Sequence, residues 1–251
     1  MFFDNKITEK NGEKSFAYGW LDKVLSVTEG KDVSNFEYYP DGQLASTNST
    51  NLHEEFVWDG LALIGRNETK YTVEPHVNGG SPILSTNGTN GTNETSVLFN
   101  DILGSSLGVV ENGAFTGIER SAFGEQLENP SASFGSSQTT DNGQPTTDFW
   151  TGKPQVEGLG YAFLFRNYRA DTGKWMSSDP LGYPDGWNNL AYVNNKTSFA
   201  IDRFGLEIVY IGTKDYLQDV ANADSDDKTT TAGDILNVTQ GFADKFNNES
   251  L

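Results

Sequence analysis

Phe16-Ala17-Tyr18, Phe36-Glu37-Tyr38 and Phe56-Val57-Trp58 place an aromatic-x-aromatic triplet at positions 16, 36 and 56, a 20-residue spacing that repeats without a slip. Around the second triplet, Tyr38-Tyr39-Pro40-Asp41-Gly42-Gln43-Leu44 reads as strand, turn, strand. Asp-Gly supplies the residues that tolerate positive φ in a tight turn. Phe56-Val57-Trp58-Asp59-Gly60-Leu61-Ala62-Leu63 repeats the plan. Aromatic residues two apart lie on one face of a strand, so each repeat offers one large apolar patch. A recurring period of this kind predicts stacked β-hairpins, although an ordinary meander with chance spacing would give the same triplets.

The β signal continues outward. Val97-Leu98-Phe99 and Leu107-Gly108-Val109-Val110 read as short strands, and Phe149–Trp175 is aromatic-rich and alternates. Ser85–Thr95 holds no apolar residue and Asn129–Thr147 is rich in Ser, Thr, Gly and Gln, so both are expected to be exposed loops. Helical periodicity is scarce before the tail. The fold class expected is mainly β.

The charge balance narrows the function. Seventeen Lys+Arg stand against 35 Asp+Glu, a net charge of −18. A chain so acidic is a poor ligand for nucleic acid or anionic lipid, which need a clustered basic face. There is no cysteine, and the two histidines, His53 and His76, are far apart. Disulfide frameworks, thiolate zinc sites, Cys nucleophiles and His-bearing triads are therefore set aside. No apolar run approaches the length of a membrane span. The start, Met1-Phe2-Phe3-Asp4-Asn5-Lys6, lacks the basic and apolar regions of a signal peptide. Asn-x-Ser/Thr triplets at Asn67, Asn87, Asn90 and Asn93 read as products of an Asn/Thr-rich composition rather than as glycan acceptors.

Carboxylates remain the one abundant catalytic group. Two Asp-x-x-Gly elements stand near the C-terminus, Asp179-Pro180-Leu181-Gly182-Tyr183 and Asp202-Arg203-Phe204-Gly205-Leu206. Two carboxylates brought together by a fold can share one proton, the ionised member serving as base toward water while the protonated member polarises a carbonyl. Such a pair hydrolyses peptide bonds without thiol, imidazole or metal. The plainer alternative is that both Asp residues cap tight turns, with glycine at a positive-φ position.

From Ser96 onward an ordered series of segments resembles the core domain associated with Rhs/YD-repeat proteins, whose relatives include the C components of insecticidal toxin complexes. The series comprises Phe99-Asn100-Asp101-Ile102-Leu103-Gly104-Ser105, Phe123-Gly124-Glu125, Phe149-Trp150-Thr151-Gly152-Lys153-Pro154 with Gly158-Leu159-Gly160-Tyr161, Arg166–Trp175, Ser178–Gly182, Asn188–Asn195 and Asp202–Leu206. The triplets at 16, 36 and 56 resemble the YD repeats that precede that core. The resemblance implies repeats over 1–84, a polar linker over 85–96, a core over 97–206 and a variable tail over 207–251.

It also implies a spiralling β-strip that closes into a hollow shell, with the core plugging one end. The paired Asp motifs resemble an aspartyl-type self-cleavage centre. Carried onto this chain, Asp179 and Asp202 are the carboxylates and Leu206–Glu207 is the scissile bond. Pro180, Gly182, Arg203 and Gly205 support the turns. Arg203 departs from the family's pattern, which has Pro there; it removes a φ constraint and offers a cation to a carboxylate. No cofactor or metal is implied. The partners implied are the chain's own tail as cargo, upstream repeats, secretion machinery and an immunity protein, in a secreted or cell-surface setting. The competing reading is a non-catalytic extracellular or cell-surface β module.

The tail from Glu207 carries nine acids and three lysines. Glu207–Ile211 reads as a strand, and Tyr216–Asn222 and Ala232–Phe246 fit helices. The tail has no His or Cys for a nuclease or zinc deaminase centre. Asp224-Ser225-Asp226-Asp227 lacks the remaining ligands and glycine of a calcium-binding loop, and a solvated loop is expected there.

Overall fold

The computed structural model describes residues 9–211 apart from 11, 51, 75–79, 89–93, 128–146 and 184–185. The two helices expected in the tail, its acidic cluster and nearly all of the expected loop over 129–147 lie outside the described residues.

Among the described residues twelve strands form one antiparallel meander, each paired with its neighbours in sequence. They are β1 (Glu9–Lys10), β2 (Lys14–Tyr18), β3 (Val24–Glu29), β4 (Asp32–Tyr38), β5 (Leu44–Asn48), β6 (His53–Asp59), β7 (Ala62–Arg66), β8 (Thr69–Glu74), β9 (Ser81–Asn87), β10 (Glu94–Asn100), β11 (Ser106–Glu111) and β12 (Ala114–Gly117). A second, five-stranded meander follows: β13 (Phe149–Trp150), β14 (Lys153–Val156), β15 (Gly160–Ala162), β16 (Asn167–Arg169) and β17 (Lys174–Trp175). β18 (Ala200–Asp202) and β19 (Ile208–Tyr210) form a final pair. The mainly β expectation holds among the described residues.

The 20-residue period has a backbone cause. In β2, β4 and β6 a register shift falls at the same place in each triplet: Ala17/Tyr18, Glu37/Tyr38 and Val57/Trp58. Phe16, Phe36 and Phe56 are buried, the middle residue is exposed, and the third is half-buried. A bulge turns the third side chain away from strict alternation and adds twist, which curves the sheet. That third side chain reaches back along the strip: Tyr38 Oη donates to the Val24 carbonyl at 2.7 Å and Trp58 Nε1 to the Leu44 carbonyl at 2.7 Å.

Two further copies are present that the aromatic triplets do not signal. Tyr71-Thr72-Val73 in β8 and Leu98-Phe99-Asn100 in β10 show the same buried, exposed, half-buried order, with the shift at Thr72/Val73 and Phe99/Asn100. The strip therefore takes in both ends of the polar stretch expected to be a loop. Ser85–Asn87 lies in β9 and Glu94–Thr95 in β10, paired Glu94 with Asn87, Thr95 with Thr86 and Ser96 with Ser85. β-branched Thr and small Ser suit a pleated surface, and Ser85 and Ser96 are themselves buried, so absence of apolar residues did not mean absence of a strand.

The second meander packs on the inner face of the strip. Phe16, Val24, Val27, Phe36, Leu44, Phe56, Leu63, Tyr71 and Leu98 share one core with Phe149, Val156, Leu159, Ala162 and Met176. A second, aromatic core holds Trp150, Tyr161, Phe163, Tyr168, Trp175 and Tyr192, with Trp150 stacked on Tyr168 at 4.7 Å between ring centroids. Polar pins cross the layer boundary: Tyr18 Oη to the Met176 carbonyl (3.0 Å), Lys23 Nζ to the Phe163 carbonyl (3.1 Å) and Arg66 Nη1 to the Gln155 carbonyl (3.1 Å). Arg66 is itself paired with buried Glu54 through both Oε atoms, at 2.7 and 2.8 Å. These pins fix the second meander, and hence the paired Asp motifs beyond it, against the strip.

Candidate functional site

Each Asp of the two Asp-x-x-Gly elements first organises its own turn. Asp179 Oδ1 accepts the Leu181 amide at 2.8 Å, and Gly182 closes the turn at φ 94° onto the Asp179 carbonyl. Asp202 Oδ1 accepts three amides, those of Phe204 (3.0 Å), Gly205 (2.6 Å) and Leu206 (3.0 Å), with Gly205 at φ 83°. This is the side-chain mimicry of a backbone turn that Asp and Ser supply, and only glycine adopts such φ cheaply. The same device recurs where no paired site exists: Asp101 Oδ1 accepts the Leu103 and Ser105 amides, and Ser121 Oγ those of Phe123 and Glu125. Turn-making alone therefore does not distinguish Asp179 and Asp202.

Their second oxygens do. Asp179 Oδ2 lies 2.7 Å and Asp202 Oδ2 3.2 Å from the same Nη2 of Arg166. The two carboxylates thus stand within about 6 Å of each other, inside the range over which they couple. All three are buried, with Asp179, Asp202 and Arg166 at 6%, 1% and 3% exposure. The rest of the guanidinium is fixed as well. Nε donates to the Gly205 carbonyl at 2.6 Å, Nη1 to the Asn189 carbonyl at 3.1 Å, and the group lies over the Trp175 ring at 4.2 Å. The Asp202 amide donates to Tyr192 Oη at 3.3 Å, tying β18 to the aromatic core.

Burial raises the pKa of both carboxyls above the ordinary value. Arg166 opposes that rise at both, but the environments differ otherwise. Asp202 has three amides that favour its charged form. Asp179 has one, and the negative charge of Glu207 pushes it further toward the protonated form. Two carboxyls in unequal environments are what an acid–base pair requires. Beside them, a cavity of about 10 Å³ lined by Arg166, Asp179, Asn189 and Asp202 has room for about one water.

The sequence pairs Asp179 with Asp202 directly; the structure brings them together through Arg166, which carries no distinguishing signal in the sequence. Arg203 is not the cation of the site. Its Nε is buried without a hydrogen-bond partner, and both carboxylates pair with Arg166 instead. Leu206 is held by its amide on Asp202, and Glu207 is exposed. The bond between them lies in the seven-residue turn from Asp202 to its partner Ile208, one side of which is the carboxylate itself. Pro180 and Gly182 shape the Asp179 turn, and Gly205 cannot take a side chain without meeting Arg166. Among the described residues no helix is long and apolar enough to cross a membrane. Among them, too, no group of three His, Asp or Glu is placed to hold a metal ion.

No protein-family model matches the chain, and no curated protein is significantly similar to it. Solved structures are similar in fold. TcdB2-TccC3 without its hypervariable C-terminal region aligns over 80% of this chain and 10% of that one, at 17% identity and a TM-score of 0.57. TcdB2-TccC3-TEV aligns over 77% and 10%, at 19% identity and a TM-score of 0.55. The Tc holotoxin pore of Photorhabdus luminescens, with a mutated TccC3, aligns over 79% and 10%, at 17% identity and a TM-score of 0.54. The chain spans about a tenth of each of these toxin-complex chains, and what it shares with them is the fold.

Proposed function

We propose that this chain is a piece of an Rhs-type, toxin-related protein in which a repeat strip and core carry a one-turnover autoprotease that cuts between Leu206 and Glu207. The observation that carries the reading is the convergence of two buried, unequally placed carboxylates on one guanidinium beside the turn that holds this bond. The fold likeness to TcdB2-TccC3 supports the same class of protein. Upstream repeats would extend the strip beyond β1, and residues 207–251 would be the cargo of a secreted protein. Secretion machinery and an immunity protein would be its outside partners.

The chemistry balances without a cofactor. Asp202, whose Oδ1 accepts three amides, takes a proton from water. The hydroxide oxygen bonds to the Leu206 carbonyl carbon while protonated Asp179 donates to the carbonyl oxygen. Collapse breaks the C–N bond, and the proton taken by Asp202 passes to the departing Glu207 amine. Arg166 offsets the negative charge that develops, among buried side chains where such an interaction is strong. Bond and carboxylates belong to one chain, so no binding step is needed.

One observation favours a second reading. The Asp101 and Ser121 turns show that this fold uses the same device for architecture, and an Asp–Arg–Asp cluster locks two turns together without any reaction. The mass of the purified chain under denaturing conditions, followed over days at several pH values, separates the two. Self-cleavage gives a species ending at Leu206 and its complement, both lost in Asp179→Asn and in Asp202→Asn. An intact chain at every pH leaves the structural reading.

A further inference from the structure

β19, the first segment beyond the proposed cut, is built into the core rather than lying on its surface. Ile208, Val209 and Tyr210 pair in register with Asp202, Ile201 and Ala200, and the Ile211 amide extends the ladder to the Phe199 carbonyl at 2.7 Å. Tyr210 is buried within the aromatic core and stacks with Phe199 at 6.3 Å between centroids. Lys196 closes over it: Nζ lies 5.0 Å from the ring centroid and donates to Tyr210 Oη at 3.1 Å. Ile208 packs against the same cluster. Strand, aromatic anchor and capping lysine amount to a binding mode in which main-chain bonds give affinity and a side-chain pocket gives selectivity.

We infer that β18, Phe199 and Lys196 form a docking site for an extended segment with an aromatic residue at its third strand position, and that its occupant is the chain's own Ile208–Ile211. Breaking the Leu206–Glu207 bond then leaves residues 207–251 attached to the core without a covalent link. Release is a second event, set by the loss of β19 from β18 and of Tyr210 from its pocket. The inference rests on the proposed autoprotease only for where the chain is cut; the docking stands whether or not the chain cuts itself.

The test uses the full chain with a site-specific protease sequence inserted between Leu206 and Glu207, so that the cut does not depend on self-cleavage. After proteolysis, a denaturing mass spectrum reports whether the bond is broken, and gel filtration in native buffer reports whether the fragments travel together. Docking predicts co-elution. It predicts that Tyr210→Ala speeds dissociation by more than roughly tenfold, since deletion of a buried aromatic side chain typically costs enough for that. Tyr210→Phe, which keeps the ring and loses only the Lys196 bond, should remain largely associated. Ile211→Pro, which removes the amide on Phe199 and leaves the core untouched, should also weaken retention. Prompt separation of the unsubstituted fragments overturns the inference, as does a Tyr210→Ala fragment retained as tightly as the parent. A chain without the inserted sequence that stays intact overturns the autoprotease alone.

Discussion

Replacing Arg166 by Met removes the cation shared by Asp179 and Asp202 while keeping an apolar stem over Trp175. With Oδ2 atoms at 2.7 and 3.2 Å, each carboxyl group, when ionised, is attracted to the guanidinium by about 5–6 kcal/mol at an effective dielectric of ~20, before the cost of burial. Loss of one partner of such a buried cluster typically costs about 3–5 kcal/mol of stability. The variant is therefore assayed well below its unfolding temperature. Cleavage, followed by denaturing mass spectrometry, should slow by about 10²–10³-fold, the usual effect of deleting one electrostatic stabiliser. The pH dependence carries a sharper signature. Arg166 opposes the rise in both carboxyl pKa values, so without it both rise further. The pH–rate bell of the pair should move to higher pH. Arg166→Lys keeps the charge but cannot reach both Oδ2 atoms and the Gly205 and Asn189 carbonyls together, and should fall between. A folded Arg166→Met variant that cleaves at the parent rate, with its bell unmoved, would refute the electrostatic role assigned to Arg166.

Other perturbations test the frame around the site. Gly160 has φ +85° and a Cβ there would collide with the Tyr168 carbonyl, so Gly160→Ala should cost more than ~2 kcal/mol in urea unfolding. Gly113→Ala, at φ +79° with open space around it, should cost only ~1 kcal/mol. Burial lowers the Lys23 pKa from 10.5 to about 7, so between those values the unfolded chain holds the extra proton and stability climbs with pH. Lys23→Met should flatten that slope in unfolding titrations from pH 7 to 10, and a slope unchanged from the parent would contradict the burial account. Glu54→Gln leaves Arg66 buried beside a neutral partner and should cost about 3–5 kcal/mol, whereas Glu54→Gln with Arg66→Met should cost less than the two singles added.

The aromatic triplets made half of the strip legible because each repeat there spends a large side chain on both the buried and the half-buried position. Tyr71-Thr72-Val73 and Leu98-Phe99-Asn100 keep the backbone bulge but fill the half-buried position with Val and Asn. The bulge is a property of pairing, and pairing is not written in residue type. Ser85–Thr95 misled for a related reason: buried Ser85 and Ser96 occupy strand positions that a hydropathy pattern reads as loop. At the site, Asp179 and Asp202 were visible because each brings its own turn and glycine. Arg166 was not, since a single arginine in an aromatic strand-rich segment looks like any solvated cation. One signal pointed to a cation without singling out Arg166. A cation stabilises two carboxylates that a fold buries together, and the chain has 17 basic residues against 35 acidic ones to supply it.

In the proposed reaction, water activated by Asp202 and Asp179 hydrolyses the Leu206–Glu207 bond. The most direct test is to let the full chain stand in heavy-oxygen water and to sequence both termini of the products by mass spectrometry. The account predicts a fragment ending at Leu206 with one heavy oxygen in its new carboxylate, a partner beginning at Glu207, and neither in Asp179→Asn or Asp202→Asn. A chain that stays whole, a cut elsewhere, or a cut at Leu206 that persists in both Asn variants would contradict it.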